Sequence, residues 1–453
     1  MKRVVIVGGG AAGLAAAYTL GRRGLEPLLL EAGERAGGRL SGEEVGGFSI
    51  DTGADFFCSS YDVAFRLCRE LGLTLVPSRM RLGWYRGGRW VTTTPGLSPA
   101  NLLRNLPAAR ALGLLSPRAA MPAVRLFRGL VAERDHLSFA GGSRLAELDG
   151  DEMFGGYLRR IGAPESLRTT LRGFLEMTMG DAEAAGAAYM RTYLAEMIVR
   201  ADQLRVPERG AGALASALAE ACADAVRLST PVDRVVVANG VATGVAAGGA
   251  MVEADAVICA VPATRVPALV PGLPDAARRA LEGVTYSSGV RVVIGLDRPP
   301  LPPGWHGALY PEDETPLLLD RSVNLPLCAP AGMSTLDLLV GRERARELMS
   351  LDDGEIARQL LCAARRNPPP GSDLPADGEG LFVRVYRWRE AVCMGPPGMF
   401  GAVAQARRQL RSEVSNLFLA GDYTRVPSVN GALASGVGAA EEAADHLLAS
   451  GAG

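Results

Sequence analysis

A glycine pattern close to the N-terminus is the feature that most constrains the fold of this chain. Gly8, Gly10 and Gly13 directly follow the apolar run 4–7 and precede a stretch of helical periodicity, 11–22, that is rich in alanine and leucine. In such a turn the first glycine permits a sharp bend, the second lets the backbone approach a pyrophosphate, and the third lets helix and strand pack closely. The spacing therefore predicts a β-α-β unit whose helix N-terminus binds the phosphates of a dinucleotide.

An acidic residue at the end of the second predicted strand supports this site. Glu31 follows the apolar run 27–30 and lies 23 residues after Gly8, where a carboxylate accepts hydrogen bonds from ribose hydroxyls and repels a 2'-phosphate. Ala11 and Ala12 open the helix, and their backbone N–H groups are candidate phosphate ligands. A glycine-rich turn without a ligand is the competing interpretation. The pattern disfavours NADP and does not separate FAD from NAD.

Lysine is almost absent from the chain. Lys2 is the single lysine among 48 lysine and arginine residues, so no interior lysine is available for a Schiff base, a phosphate-binding loop or a hydrogen bond to a flavin. The formal net charge of -1 disfavours nucleic acid as a partner. Seven cysteines without a CxxC pair and three widely separated histidines predict neither a metal site nor a disulfide framework. These features favour a cytoplasmic, reducing environment.

Strand and helix patterns divide the chain into a dinucleotide-binding domain and an inserted substrate domain. Strand patterns recur around 232–261, where Asn239-Gly240 predicts a hairpin, and at 416–420, before an alanine-rich helix. We therefore expect three separated segments in the first domain and two insertions in the second. The expected boundaries are 1–78, 205–281 and 381–453 for the dinucleotide-binding domain, and 79–204, mainly helical, and 282–380 for the substrate domain.

An arginine-rich stretch lies within the first insertion. Residues 96–130 contain five arginines and no acidic residue among many leucines and alanines. One interpretation is a basic amphipathic surface that contacts anionic lipid, which would place the protein at the periphery of a membrane such as the inner membrane. The other is a helical cap with a solvated arginine face, and the sequence leaves both open.

The residues after the second predicted strand resemble those of a known family. Glu31 is followed by a short loop, by Gly38-Arg39 and by 51–53, which reads Asp-Thr-Gly, as in the flavin-containing amine oxidase superfamily of monoamine oxidases, protoporphyrinogen oxidases and phytoene desaturases. The resemblance implies FAD as the cofactor, with Ala32, Gly38 and Arg39 among the residues that bind it. It places Arg39 near the pyrophosphate, and an arginine fork suits phosphate oxygens.

The C-terminal region and the middle of the chain resemble the same family. There, the counterpart of Gly421-Asp422 meets the ribitol-phosphate part of FAD, and the helix beginning near Val429 and Asn430 points its N-terminus at the flavin N1/O2 edge. Val232 is the expected adenine-side backbone contact. The resemblance implies an α/β protein with a Rossmann-like FAD-binding domain, of the GR2-type, p-hydroxybenzoate hydroxylase-like two-domain flavoproteins, and an inserted α+β substrate domain.

Two departures separate the chain from the amine-oxidising branch of this family. Many members of that branch keep a lysine at flavin N5 and two aromatic residues that sandwich the amine, whereas here no lysine follows Lys2 and residues 427–430 read Pro-Ser-Val-Asn. Family members often carry glutamate where Asn430 stands. The segments 421–424 and 385–388 instead resemble those of carotene desaturases and protoporphyrinogen oxidases.

Three further residues are candidates for the substrate cavity. Trp388 and Tyr386 lie in the tryptophan-containing segment, and Arg425 follows the Gly-Asp segment, where it could bind a substrate carboxylate. The alternatives are core aromatic residues and an exposed arginine. Cys393 falls in the general region where monoamine oxidases attach FAD to a cysteine, but its spacing favours a free buried thiol.

The resemblance implies an FAD-dependent oxidoreductase that dehydrogenates a largely hydrophobic small molecule. Hydride would pass to flavin N5, with oxygen or a quinone as electron acceptor, in a desaturase-like or protoporphyrinogen oxidase-like reaction. No residue pattern marks a catalytic acid or base. One alternative is an amine or amino-acid (cyclic imine) oxidase that releases hydrogen peroxide. A second is a flavin-free prenyl-protein carrier like the related Rab GDP-dissociation inhibitors, against which the intact glycine motif argues.

Overall fold

The computed structural model describes residues 2–96, 98–141, 144–175, 181–200, 203–312 and 314–449. Its strands are β1 Arg3–Val7, β2 Glu26–Leu30, β3 Gly42–Val45, β4 Phe48–Asp51, β5 Leu75–Pro77, β6 Leu82–Arg86, β7 Arg89–Thr93, β8 Arg205–Pro207, β9 Val226–Arg227, β10 Val232–Ala238, β11 Val241–Ala247, β12 Ala250–Glu253, β13 Ala256–Cys259, β14 Gly289–Leu296, β15 Gly307–Leu309, β16 Leu317–Asp320, β17 Ser334–Gly341, β18 Phe382–Trp388 and β19 Leu417–Leu419. Its helices are α1 Ala11–Arg22, α2 Asp62–Glu70, α3 Pro99–Ala111, α4 Pro117–Ala132, α5 Phe154–Arg160, α6 Glu165–Leu175, α7 Ala187–Leu194, α8 Gly212–Ala221, α9 Val266–Leu269, α10 Asp275–Glu282, α11 Arg342–Leu348, α12 Asp353–Arg366, α13 Met399–Glu413 and α14 Val429–Ala449.

A five-stranded parallel sheet forms the centre of the predicted dinucleotide-binding part. Its order is β19-β13-β1-β2-β9, so the N-terminal strand lies in the middle. All residues of β1 after the first are buried, as expected for an apolar strand covered on both faces. The carboxyl ends of parallel strands meet at one edge, and the pairing registers therefore bring Gly8, Glu31, Ala260 and Ala420 together there.

The local structure predicted around this sheet is confirmed. Helix α1 spans the predicted residues 11–22, and the chain turns at Gly24 with φ of 73°. Strands β10 and β11 form the predicted hairpin, in which Asn239 and Gly240 adopt φ values of 51° and 74°. Positive φ at both central residues is what a type I′ turn requires, and asparagine followed by glycine tolerates it best.

A seven-stranded sheet lies in the predicted substrate domain. Its order is β18-β14-β17-β16-β15-β6-β7, so both predicted insertions contribute strands to it, and α3 to α7 come from the first insertion. The third predicted dinucleotide segment begins at residue 381, yet β18 is hydrogen-bonded along the whole of β14. Strand β14 is buried throughout and would otherwise end the sheet with unpaired backbone groups. By its pairing, β18 therefore belongs to the seven-stranded sheet.

A buried carboxylate marks the junction between the two parts. Asp51, at the end of β4, accepts hydrogen bonds from the backbone N–H groups of Ala211 (2.9 Å) and Gly212 (2.7 Å) at the start of α8. Its charged partner is the buried guanidinium of Arg321, which follows β16 of the seven-stranded sheet. The carboxylate thereby satisfies a helix N-terminus in one part of the molecule and an arginine in the other.

A second buried arginine, Arg291, extends the Asp51–Arg321 pair into a cluster of charged side chains, which we call the charge cluster. Arg291 of β14 is fully buried and pairs with Asp337 of β17 and, at 2.7 Å between Nη1 and Oδ1, with Asp55. The same guanidinium donates to the carbonyl oxygen of Gly53 at 3.0 Å. Removing one partner from a buried ion pair leaves an uncompensated charge and costs about 3 to 5 kcal/mol. The cluster therefore fixes the loop 51–55 against the seven-stranded sheet.

A buried histidine borders the same cluster. His306 lines a small cavity with Asp55 and Arg321. The backbone N–H of Arg79 donates to Oδ1 of Asn324 (2.9 Å), which orients the amide so that its Nδ2 donates to Nδ1 of His306 (2.9 Å). This hydrogen bond requires an unprotonated Nδ1, and burial lowers the pKa of His306 to about 4.

We expect His306 to make folding sensitive to moderate acid. Its pKa is about 4 in the folded protein and 6.5 ordinarily, so between these values the unfolded chain binds more protons. The stability from the neutral imidazole is complete above about pH 6.5, and about 2 to 3 kcal/mol of it is lost by about pH 4.5. Urea unfolding at about pH 6.5 and about pH 4.5 should show this extra loss of the free energy of unfolding in the wild type and not in His306→Asn. Equal losses in the two proteins would contradict a buried neutral histidine.

Candidate functional site

The glycine turn after β1 has the geometry that its spacing predicts. Gly8 adopts φ of 103°, and a Cβ there would lie 2.8 Å from the carbonyl oxygen of Ala260. A Cβ on Gly13 would lie 1.9 Å from the carbonyl oxygen of Gly8, so α1 approaches the turn as closely as its backbone allows. At Gly10, by contrast, a Cβ would meet no atom within 4 Å. The open space lies at the N-terminus of α1, whose first N–H groups, including those of Ala11 and Ala12, have no partner within the helix.

Glu31 stands beside this turn at the end of β2. Its carboxylate accepts hydrogen bonds from the backbone N–H groups of Gly9 (2.6 Å) and Gly33 (2.7 Å), which fix its position. Each carboxylate oxygen can accept further hydrogen bonds. Ala32 is exposed next to it, and the backbone N–H of Thr230 donates to the carbonyl oxygen of Glu31 at 2.8 Å.

The adenine-side contact predicted at Val232 lies near this acid in the fold. Val232 is partly buried at the start of β10, two residues after Thr230. Strand β10 therefore begins two residues after the hydrogen bond between Thr230 and Glu31.

Arg39 and Asp422 join the two halves of the predicted cofactor site. Nη1 of Arg39 lies 2.8 Å from Oδ2 of Asp422, and Nη2 lies 3.1 Å from Oδ1, which is a bidentate pair. The guanidinium also donates to the carbonyl oxygen of Ala391 (3.3 Å) and lies over the ring of Tyr286 at 5.4 Å. Gly38, with φ of 52°, brings this segment against the glycine turn. Residues more than 380 positions apart in sequence thus meet at one point.

Close backbone packing also places the start of α14 at this edge. Gly421 has φ of 152°, and its N–H donates to Oγ of Ser435 in α14 at 2.8 Å. A Cβ on Gly436 would lie 2.0 Å from the carbonyl oxygen of Ala12 in α1. The contacts of Ser435 with Gly421 and of Gly436 with Ala12 pack the first third of α14, which begins at Val429, beside the N-terminus of α1.

Asn430 is buried, and both polar atoms of its side chain are hydrogen-bonded within the protein. Its Oδ1 accepts from the N–H of Ala64 (2.9 Å), and its Nδ2 donates to Oδ1 of Asp62 (2.8 Å) and to the carbonyl oxygen of Phe139 (2.8 Å). The amide therefore ties α14 to the start of α2. A contact between Asn430 and a cofactor would have to come from its backbone.

A cluster of aromatic and thiol side chains adjoins the Arg39–Asp422 pair, and no sequence pattern singled it out. Its members, all buried or partly buried, are Cys58, Tyr61, Phe139, Tyr189, Tyr193 and Cys393. Phe139 packs edge-on against Tyr61, Tyr189 and Tyr193 at centroid distances of 5.9, 6.2 and 6.0 Å. Tyr189 contacts the backbone at Gly395, two residues after Cys393, which connects the cluster to the pair. The spacing of Tyr189 and Tyr193, four apart on one helix, is the signal that could have revealed it.

The ionisable members of this aromatic cluster are held neutral. Burial raises the pKa of the Cys58 and Cys393 thiols above the ordinary range. Burial likewise raises the pKa of Tyr61, Tyr189 and Tyr193. The surface that the cluster offers is therefore uncharged and largely apolar.

The predicted cavity residues have separate surroundings. Trp388 is partly buried at the end of β18 and donates from Nε1 to the carbonyl oxygen of Thr52 at 2.8 Å, beside the loop that Arg291 fixes. The hydroxyl of Tyr386 donates to Oε2 of Glu43 at 3.1 Å, toward β3. Arg425 is exposed, and its guanidinium lies over Gly438 of α14. Of these three side chains, that of Trp388 contacts the loop 51–55.

Comparison with known proteins agrees with this geometry. Residues 11–444 match the model of the flavin containing amine oxidoreductase family. A putative flavin-containing monoamine oxidase, AofH, of Mycobacterium tuberculosis is 33% identical over 178 residues, which are 39% of this chain and only 37% of that protein. The coproporphyrinogen III oxidase of Mycobacterium bovis is 27% identical over 98% of both chains.

Solved structures show the same fold at low sequence identity. The structure of a putative protoporphyrinogen oxidase from Exiguobacterium sp. 255-15 is 23% identical, covers 99% of both chains and superimposes with a TM-score of 0.75. The family match covers residues 11–444, which is nearly the whole chain. The protein is therefore a flavin-dependent oxidoreductase with FAD as its cofactor, and it belongs to the flavin-containing amine oxidoreductase family.

Proposed function

We propose that the protein dehydrogenates a largely apolar small molecule, in a reaction of the desaturase or porphyrinogen oxidase type. The observation that carries this proposal is the aromatic cluster beside the Arg39–Asp422 pair, whose hydroxyls and thiols are all held neutral by burial. Such a surface favours an uncharged or weakly polar substrate, because burying a charge without a partner is costly. Bound FAD supplies the redox chemistry by accepting a hydride at N5.

The chain's own residues then bind and orient the cofactor. We assign the phosphates to the glycine turn and the N–H groups that open α1, and the ribose to Glu31 and the neighbouring Ala32. The open space at Gly10 supports this assignment, since a side chain there would obstruct only the ligand. Val232 is the proposed adenine-side contact.

The second half of the cofactor site comes from the C-terminal segment. We assign Arg39 to the pyrophosphate, Gly421 and Asp422 to the ribitol phosphate, and the first N–H groups of α14, at Val429 and Asn430, to the flavin edge. The bidentate pair neutralises the Asp422 carboxylate. This leaves the positive end of the α14 dipole to stabilise negative charge on the flavin.

Among the residues that the structure describes around the aromatic cluster, no ionised acid or base is free to accept a proton. Glu196 is fully buried, but its carboxylate is bound by Arg200 (3.0 Å) and by the hydroxyl of Ser59 (2.8 Å). The proton that the substrate releases would therefore pass to solvent, or to the electron acceptor as that acceptor is reduced. The proposed acceptor is oxygen or a quinone. Trp388 is the proposed aromatic wall of the cavity, held by Thr52.

Amine oxidation is the competing function, because one relative is named a monoamine oxidase. An amine substrate would arrive as an ammonium and would need carbonyl or aromatic partners to replace its hydration. The flavin-free carrier function is disfavoured by membership of a flavin-containing oxidoreductase family.

The substrate class can be tested with the purified holoprotein. Under anaerobic conditions we expect porphyrinogens or polyenes to bleach the long-wavelength flavin absorbance, and cyclohexylamine and putrescine to leave it unchanged. The physical reason is the neutral surface beside the Arg39–Asp422 pair. Bleaching by the amines alone, with hydrogen peroxide released on admitting oxygen, would replace the proposed function by amine oxidation.

Gly10→Val should abolish flavin binding without unfolding the protein. The new Cβ meets no protein atom within 4 Å, so we expect the added bulk to obstruct the cofactor phosphates rather than the protein. Gly21→Val is the matched control, since Gly21 lies near the other end of the helix that Gly10 precedes, and its Cβ would also meet nothing within 4 Å. Absorbance spectra should show flavin in the control and none in Gly10→Val, with similar circular dichroism. Flavin retained by Gly10→Val would contradict the assigned phosphate site.

FAD should be bound without a covalent link to Cys393. The thiol is fully buried, and burial raises its pKa, so the nucleophilic thiolate is disfavoured. Precipitation in trichloroacetic acid should leave the yellow colour in the supernatant, for the wild type and for Cys393→Ala alike. A yellow pellet from the wild type only would show that the cysteine carries the flavin.

A further inference from the structure

One stretch of the chain has an extreme charge composition. Between residues 71 and 132 there are nine arginines and no aspartate or glutamate, in a protein whose formal net charge is -1. The second half of this stretch forms α3 and α4. We call the outward faces of these two helices the α3–α4 surface.

Helix α4 has two apolar faces, and only one is used inside the protein. Ala119, Pro122, Leu126 and Leu130 are buried against the rest of the molecule. On the opposite face Met121, Val124, Phe127 and Val131, spaced three and four residues apart, are exposed by 57%, 50%, 41% and 38%. An amphipathic surface helix normally turns polar residues outward, so the exposed stripe needs another explanation.

Helix α3, which is separated from α4 by residues 112–116, also exposes apolar side chains. Leu102, Leu103 and Leu106 are exposed by 51%, 67% and 46%, whereas Ala108 is its only buried residue. Ser98 and Ser116 cap the two helices by accepting backbone N–H groups at 3.2 Å, so both helices are well formed despite their exposure. Two successive helices thus both expose large apolar side chains, and an accumulation of such side chains marks a docking site.

The arginines of this surface are available for a partner. Arg104, Arg110, Arg118 and Arg128 are exposed, and none of them takes part in an ion pair within the described ranges. Arg125, the fifth, instead donates to the carbonyl oxygen of Ile161 at 3.1 Å. The surface therefore combines an apolar stripe with four uncompensated positive charges.

We propose that the α3–α4 surface docks on an anionic lipid bilayer, with its apolar side chains among the acyl chains and its arginines at the lipid phosphates. This combination is the one by which interfacial helices bind such membranes. A second copy of the chain is a poorer occupant, because a two-fold contact would bring arginines against arginines with no acidic residue between them. Nucleic acid would leave the leucines and the phenylalanine in water.

The surface lies one helix away from the candidate site. A Cβ on Gly129 of α4 would lie 3.4 Å from the hydroxyl of Tyr157 and 3.8 Å from Nη2 of Arg191, which belongs to α7. Helix α7 also carries Tyr189 of the aromatic cluster. Docking would therefore hold that cluster one helix layer from the bilayer, although the proposal does not depend on which substrate is oxidised.

Co-sedimentation of the holoprotein with lipid vesicles tests the proposal. We expect binding to vesicles of phosphatidylcholine and phosphatidylglycerol in equal parts, no binding to phosphatidylcholine alone, and release as sodium chloride is raised. The variant R104Q/R110Q/R118Q/R128Q should bind roughly a hundredfold more weakly, and L103S/M121S/F127S roughly tenfold more weakly. These side chains are exposed, so flavin absorbance and thermal midpoint should stay at wild-type values.

The matched control removes the same charge elsewhere. R69Q/R279Q/R366Q/R408Q replaces four exposed arginines that take part in no ion pair among the described residues, and it should bind like the wild type. The proposal is overturned if the wild type fails to bind the mixed vesicles, binds phosphatidylcholine equally well, or is weakened as much by the control as by the test variant. A dimer that forms without lipid and dissociates in L103S/M121S/F127S would assign the surface to a second copy instead. The salt dependence of the wild type decides the matter even if a variant fails to fold.

Discussion

The rest of the site depends on how closely two helices approach the backbone around them. Gly13 lets α1 contact the carbonyl oxygen of Gly8, and Gly436 lets α14 contact the carbonyl oxygen of Ala12. Hypothetical Cβ atoms at these positions would lie 1.9 and 2.0 Å from those oxygens, closer than any real atoms pack. Because the two contacts share α1, the N-termini of both helices are brought to one edge of the parallel sheet. A cofactor with phosphates at one end and an electron-accepting ring at the other can then meet two helix dipoles.

A second constraint acts between the two parts of the molecule. The Asp51–Arg321 pair and the Arg291 pairs are buried, and burial of charges rarely adds net stability compared with apolar packing. Their geometric effect is clearer, since Arg291 donates to Gly53 and thereby holds the loop to which Trp388 also donates. The cluster therefore fixes the position of the seven-stranded sheet, and of any cavity it lines, relative to the cofactor site.

Much of the cofactor site could be predicted from the sequence because its signals are local. The glycine turn, the boundaries of α1 and the Asn239-Gly240 hairpin each follow from the conformational preferences of a few adjacent residues. The charge cluster could not be predicted, since Arg291 and Asp337 come from separate strands and look like ordinary residues in each. The aromatic cluster left only the spacing of Tyr189 and Tyr193 as a local signal, because its other members come from distant segments. Asn430 shows the same limit: its position at a helix start is visible in the sequence, but its three buried hydrogen-bond partners are not. Sheet membership of β18 likewise depends on β14, whose paired residues lie 87 to 99 positions earlier.

Charge at the site argues for the kind of substrate it accepts. The fixed charges around the aromatic cluster are paired, Arg39 with Asp422 and Glu196 with Arg200, and this pairing leaves little net field for an incoming group. A cationic substrate would lose its hydration among neutral hydroxyls and thiols without gaining an unpaired carboxylate, whereas an apolar substrate would only displace water. The absence of lysine beyond Lys2 removes the other polar group that could serve an amine at the flavin. Oxidation of an apolar molecule is therefore the chemistry that this charge distribution penalises least.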